Sequence, residues 1–162
     1  MVCAGSDITE RKRMEDRLRE MSLYDALTGL YNRSLFEEEI RRLQDERYCP
    51  MGIIVCDING LKLINDTMGH TQGDNLLRTF ADILKRCFRH SDILARIGGD
   101  EFAVLLPQTS QEIVVECSRR IRQEVSENNA QERDLGLSVA LGYAVENGPS
   151  LDTRELFKRA DD

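Results

Sequence analysis

The stretch MGIIVC, residues 51–56, constrains the fold more than any other segment. It is of strand length and continuously apolar, with no polar alternation that would leave one face to water. Such a run suits a strand covered on both faces, which requires other elements above and below it. Asp57 follows at once, a carboxylate at the exit of a buried strand.

The remaining elements supply the cover. Residues 7 to 24 read as a charged helix, with Asp7 and Glu10 spaced as a capping box and Met14, Leu18 and Met21 at coiled-coil spacing. Alone, that helix has little to bury against, so it pairs with a copy of itself or leads in from an upstream domain. DALTGLYNR (25–33) is a loop broken at Gly29. Ser34 and Glu37 form a second capping box opening a helix to about residue 46, with Leu35, Phe36, Ile40 and Leu43 on its apolar face, and Pro50 stops the segment. After Asp57 the chain turns through NGLKLINDTMGH. An amphipathic helix then runs from about Thr71 to Phe88, carrying Leu76, Leu77, Phe80, Ile83, Leu84 and Cys87.

Two strands, ILARI (93–97) and EFAVLL (101–106), flank Gly98 and Gly99, a pair suited to a tight two-residue hairpin. Thr109 and Glu112 cap a further helix bearing Ile113, Cys117, Ile121 and Val125 on one face. Residues 135 to 145 alternate large and small, a strand with one closely approached face. A last helix begins near Asp152. The order predicts an α+β fold, with helices over a mainly antiparallel sheet.

A chain of 162 residues is one domain with an appended helix. Its net charge of −7 argues against general binding to duplex nucleic acid, which needs a basic surface. It leaves room for a triphosphate if metal ions stand between carboxylates and phosphates. No apolar run is long enough to cross a bilayer. Cys3, Cys49, Cys56, Cys87 and Cys117 are odd in number and contain no C-x-x-C pair, which reads as reduced thiols in a cytoplasmic protein.

If the strand ending at Asp57 neighbours the strand entered through Asp100 and Glu101, three acids meet at one sheet edge. Carboxylate oxygens are hard ligands that suit Mg2+, and Mg2+ also takes phosphate oxygens. Glycine at 98 and 99 lets a ligand approach the backbone. Adjacent strand residues point to opposite faces, so Asp100 and Glu101 can be equivalent ligands only if the turn bends them. On spacing alone, ordinary turn chemistry explains these residues as readily as a metal does.

At RIGGDEF, residues 96–102, the chain resembles the GGDEF family, the catalytic domains of diguanylate cyclases. The resemblance continues through DALTGLYNR, through CDINGLKLINDTMGHTQGD (56–74) and through LSVALGYA (137–144), and it spans residue 22 onward. It implies a ferredoxin-like α+β domain related to polymerase palms. The implied activity joins two GTP molecules into cyclic di-GMP with release of two pyrophosphates. Each subunit of a homodimer then holds one GTP and Mg2+ or Mn2+, two ions per half-site.

Carried over by position, the resemblance makes Asp57, Asp100 and the carbonyl of Ile58 metal ligands. Glu101 supports metal binding or deprotonation of the ribose 3′ hydroxyl. Asn65 and Asp74 read the guanine edge, Lys62 contacts phosphate, and His70 lies in the same stretch. Arg89 and Asp92 form an R-x-x-D pair of the kind that binds cyclic di-GMP and inhibits turnover, which a guanidinium clamp suits chemically. Read without the family, these residues are a capping position at Asp74, turn residues at Asn65 and Asp66, a solvated Lys62, a locally bonded His70 and a surface ion pair at Arg89–Asp92.

The family continues past the RAD at 159–161 through a helix carrying a Lys and an Arg that hold the GTP phosphates, so this domain, 22–162, reads as shortened at its C-terminus and weak in phosphate binding. Residues 1–21, with GSDITERKR, resemble the tail of a PAS sensor domain entering a signalling helix. The parent then is a multidomain bacterial signalling protein. The competing readings are a non-catalytic GTP-sensing or cyclic di-GMP-binding module, and an adenylate-type cyclase or polymerase-like enzyme. Retention of Asp57, Asp100 and Glu101 favours the cyclase over the first, and Asn65 with Asp74 disfavours the second.

Overall fold

A computed structural model describes residues 4–131, 136–148, 155, 158 and 159. The helix expected from Asp152 falls mostly outside these residues; Glu155, Lys158 and Arg159 are helical. The described elements are α1 (Ala4–Leu23), α2 (Arg33–Arg42), β1 (Met51–Ile58), α3 (Leu61–Met68), α4 (His70–Cys87), β2 (Ile93–Arg96), β3 (Glu101–Leu106), α5 (Gln111–Gln131) and β4 (Val139–Glu146). The strands form one sheet in the order β2-β3-β1-β4, every pairing antiparallel. From β1 onward the order is that of a ferredoxin-like fold, with β1 and β3 at the centre.

The apolar run of β1 is explained by this position. Ile54, Cys56 and Ile58 face one core cluster with Phe102 and Val104 of β3, the buried stripe of α4 and Val114 and Ile121 of α5. Met51, Ile53 and Val55 face a second cluster with Ala103 and Leu105 of β3, Ile93 and Ala95 of β2, and Phe36 of α2. Helices therefore cover both faces. The Phe80 and Phe102 rings meet edge-on at 5.0 Å, which joins α4 to β3 through a favourable aromatic geometry. On β4, Val139, Leu141 and Val145 pack toward the first cluster and Ala144 belongs to the second, as the large–small alternation requires.

Several local expectations are corrected. α1 begins at Ala4, so Asp7 is not its cap. Met14 and Leu18 are about two-thirds exposed, at 66% and 65%, while the side chain of Met21 lies outside the described residues. The cap of α2 is Asn32, whose side chain accepts from the Leu35 amide at 3.0 Å; Glu37 instead pairs with Arg33. α2 ends at Arg42, and a single 3-10 turn at Glu46–Tyr48 precedes Pro50. Part of NGLKLINDTMGH is a helix, α3, anchored by buried Leu61 and by Ile64 packed on the core. Gly69, not a side chain, caps α4. On α5 the buried residues are Val114, Ser118 and Ile121, and Ile113 points to solvent. The Thr109 hydroxyl donates back to the Pro107 carbonyl rather than capping that helix.

Candidate functional site

In the β1–β3 register Asp57 lies directly opposite Glu101. Since alternate residues share a face, Asp57 follows Ile53 and Val55, and Glu101 leads Ala103 and Leu105, on the α2 side of the sheet. Asp100 precedes the strand. The expected two-residue hairpin is not formed, and neither Gly98 nor Gly99 has the positive φ that such a turn demands. The Glu101 carbonyl accepts from the Ile97 amide at 2.9 Å and the Gly98 amide at 3.3 Å, leaving residues 98–100 as a wider connection. The Asp100 carbonyl accepts from the Ile58 amide at 2.9 Å, which fastens the connection to the end of β1. Strand alternation fails at this bend, and that allows neighbours 100 and 101 to aim together.

The outcome is a meeting of three half-buried carboxylates. One oxygen from each of Asp57, Asp100 and Glu101 lies within 4.8 Å of the others. Opposed ligand oxygens of a single octahedral Mg2+ stand about 4.2 Å apart, so small side-chain rotations close this set on an ion. An all-oxygen donor set fits Mg2+ or Mn2+ and does not suit a thiophilic metal. The Ile58 side chain is a buried hydrocarbon with no ligand atom, so only its backbone carbonyl could take part. At Gly98 an added Cβ would stand 3.2 Å from Glu101 Oε2, whereas at Gly99 it would meet nothing within 4 Å. Gly98 therefore accommodates the carboxylate, and Gly99 lies open to an incoming group.

The other positions separate into two places. Lys62 is exposed in the first turn of α3, and Asn65 follows one turn later. The Asn65 side chain lies against Gly73 in the first turn of α4, next to half-buried Asp74; exposed His70 starts α4. Arg89 and Asp92 lie in the link between α4 and β2. Asp92 accepts from the Arg89 backbone amide at 3.0 Å and its own amide donates to the Arg89 carbonyl at 3.1 Å, a closed turn. Burial raises the Asp92 pKa, partly opposed by that hydrogen bond and by the Arg89 charge.

Sequence reasoning missed one interaction network. The Arg96 guanidinium donates to both carboxylate oxygens of Asp25, at 3.2 and 3.3 Å, and to the Gly99 carbonyl at 2.8 Å. Asp25 also accepts from the Thr28 amide and hydroxyl at 2.9 and 2.7 Å. Burial alone would raise the Asp25 pKa; the Thr28 hydrogen bonds and Arg96 outweigh it, and the net shift is downward. Lys85 on α4 donates to the Thr28 carbonyl at 3.0 Å. DALTGLYNR is thus a buttress behind the Gly-Gly turn. No local pattern signals a pair separated by 71 positions.

Among the described residues no helix is long and apolar enough to cross a membrane. Comparison with known proteins agrees with the fold and the motif. The family profile "Diguanylate cyclase, GGDEF domain" matches residues 22–162. Diguanylate cyclase DgcM of Escherichia coli K12 is 36% identical over 169 aligned positions, covering 100% of this chain and 40% of DgcM. Cyclic di-GMP phosphodiesterase PdeR of the same organism is 38% identical over 122 positions, covering 75% of this chain and 18% of PdeR. The chain therefore spans well under half of these relatives. The coiled coil and GGDEF domain of DgcB from Caulobacter crescentus, solved in complex with c-di-GMP, superposes with a TM-score of 0.88 at 28% identity, covering 98% of this chain and 86% of that one. Family profile, relatives and architecture agree: the chain belongs to the GGDEF family of diguanylate cyclase domains.

Proposed function

We propose that this domain condenses two GTP molecules into cyclic di-GMP and two pyrophosphates, each ribose 3′ hydroxyl attacking the α-phosphate of the other nucleotide across a homodimer. The observation that carries the reading is the convergence of Asp57, Asp100 and Glu101 within 4.8 Å. Asp57, Asp100 and the Ile58 carbonyl would hold divalent ions, Mg2+ or Mn2+. Such ions, when bound, supply Lewis acidity that lowers the pKa of the attacking hydroxyl and offsets charge on the departing pyrophosphate. Glu101, adjacent to these ligands, accepts the hydroxyl proton or completes the ion-binding set. Asn65 and Asp74 select guanine, because Asp74 accepts from N1 and N2 while adenine leaves those partners unmatched. Lys62 contacts phosphate, and His70 lies beside the nucleotide. Open space at Gly99 and the small Gly98 admit the triphosphate. Arg89 and Asp92 bind product and inhibit, with the parent working in the cytoplasm under an upstream sensor domain.

A second reading is favoured by PdeR, a relative named as a phosphodiesterase. In a protein of that kind the domain would bind GTP or cyclic di-GMP and regulate an attached activity without turnover. The two separate in one assay. The full-length protein is incubated with GTP and Mg2+ or Mn2+, and nucleotides are resolved by chromatography. Cyclic di-GMP with pyrophosphate supports the cyclase; saturable GTP binding without product supports the regulatory module.

A further inference from the structure

Asn65 Oδ1 is buried and accepts no hydrogen bond. It is not in empty space. An ideal Cβ built on Gly73 would stand 1.8 Å from Asn65 Oδ1, 2.9 Å from its Cγ and 3.4 Å from its Nδ2, and these are the three nearest heavy atoms. The space a side chain would need at 73 is therefore filled by this one amide. Only a residue without a Cβ leaves room for that approach.

The polarity of that amide has a physical basis. Gly73 lies in the first turn of α4, whose cap, Gly69, offers no side-chain acceptor. Amides at a helix start carry partial positive charge, which favours a carbonyl oxygen there and disfavours an NH2 group. The elbow is held by backbone bonds from the Gly69 amide to the Asn65 carbonyl at 3.1 Å and from the Gly73 amide to the Gly69 carbonyl at 3.4 Å. With its oxygen seated inward, Asn65 has its NH2 donors left for a ligand.

We propose that Gly73 is a positioning residue for base selection: its bare Cα seats the Asn65 amide oxygen and so turns the Asn65 NH2 outward as a donor to guanine O6, where adenine carries an amine. Asp74, next in the chain, supplies the complementary acceptor. The claim rests on the guanine-reading role given to Asn65 and Asp74 above. It makes a residue without a side chain part of the specificity device.

The test uses the full-length protein with Gly73→Ala, Asn65→Ala and the double variant. Calorimetry with Mg2+ measures binding of α,β-methylene-GTP and α,β-methylene-ATP, which cannot react at the α-phosphate, and melting temperature is read alongside. Gly73→Ala is expected to weaken the guanine analogue about tenfold, the loss of one good hydrogen bond, and to shrink its preference over the adenine analogue. In the Asn65→Ala background the same change should cost no further affinity and should raise the melting temperature, because alanine is the better helix former once the amide is gone. Equal losses in both backgrounds, or a double variant melting below Asn65→Ala alone, overturn the seating role while leaving guanine reading intact. If Asn65→Ala itself binds both analogues as the parent does, the guanine-reading role falls first and this proposal falls with it.

Discussion

Arg96 reaches across the fold to Asp25 at 3.2 Å while its other terminal nitrogen holds the Gly99 carbonyl at 2.8 Å. One guanidinium thus ties the DALTGLYNR loop to the bend that delivers Asp100. Arg96→Ala should destabilise the domain by about 1–3 kcal/mol, since it leaves a half-buried carboxylate short of its partner. It should also reduce turnover, because the bend loses its support. Urea unfolding of Arg96→Ala, Asp25→Asn and the double variant checks this. The pair is coupled if the double loses clearly less than the sum of the singles.

Acid should expose the same interaction. The folded-state pKa of Asp25 lies below its ordinary 3.8, so between those values the unfolded chain binds the proton that the folded one rejects. The contribution is fully present above the unfolded value and disappears as pH falls through the folded one. The stability gap between the parent and Asp25→Asn should therefore be constant from pH 7 to about 5 and narrow below about 4. A gap that widens on acidification contradicts the assigned direction.

Removing one carboxylate from the acidic cluster separates metal binding from folding. Asp100→Asn should lower turnover by about 100-fold or more, the scale expected from several kcal/mol of lost charge stabilisation. It should also flatten the rise in melting temperature that Mg2+ gives the parent, because a ligand stabilises only the state that binds it. In EDTA the variant should melt no lower than the parent, since like charges no longer crowd the site. Thermal scans with and without Mg2+ decide the point.

The Arg89–Asp92 turn predicts feedback. Arg89→Ala should retain initial velocity and lose inhibition by added cyclic di-GMP, measured as initial rates of pyrophosphate release over a product titration. Unchanged inhibition in that variant removes the product-site assignment.

Much of this was legible in the chain, and the failures have causes. The unbroken apolar run of β1 suited a doubly covered strand, and Asp57 followed from its end. NGLKLINDTMGH looked like turns because Asn, Asp and Gly crowd it. The structure uses Gly60 and Gly69, at φ of +71° and +92°, as the two edges and makes a helix of what lies between. There Leu61 and Ile64 reach the core, and tertiary packing overrides weak propensity. Asn32 displaced Ser34 as a cap because the chain enters α2 earlier than the Ser–Glu spacing suggested. The Gly-Gly bend and the Arg96–Asp25 tie depend on strand pairing and on long-range proximity, which local patterns do not encode.

The facing of Asp57 and Glu101 across two central strands has a consequence for how the domain can fail. Sliding β3 by a single residue along β1 would send Glu101 to the opposite side and turn Phe102, Val104 and Leu106 away from α4 at the same moment. The oily layer and the acidic corner therefore demand the same alignment. A slipped sheet would lose both together, so scattering of the acids by misalignment should be accompanied by loss of the packed layer.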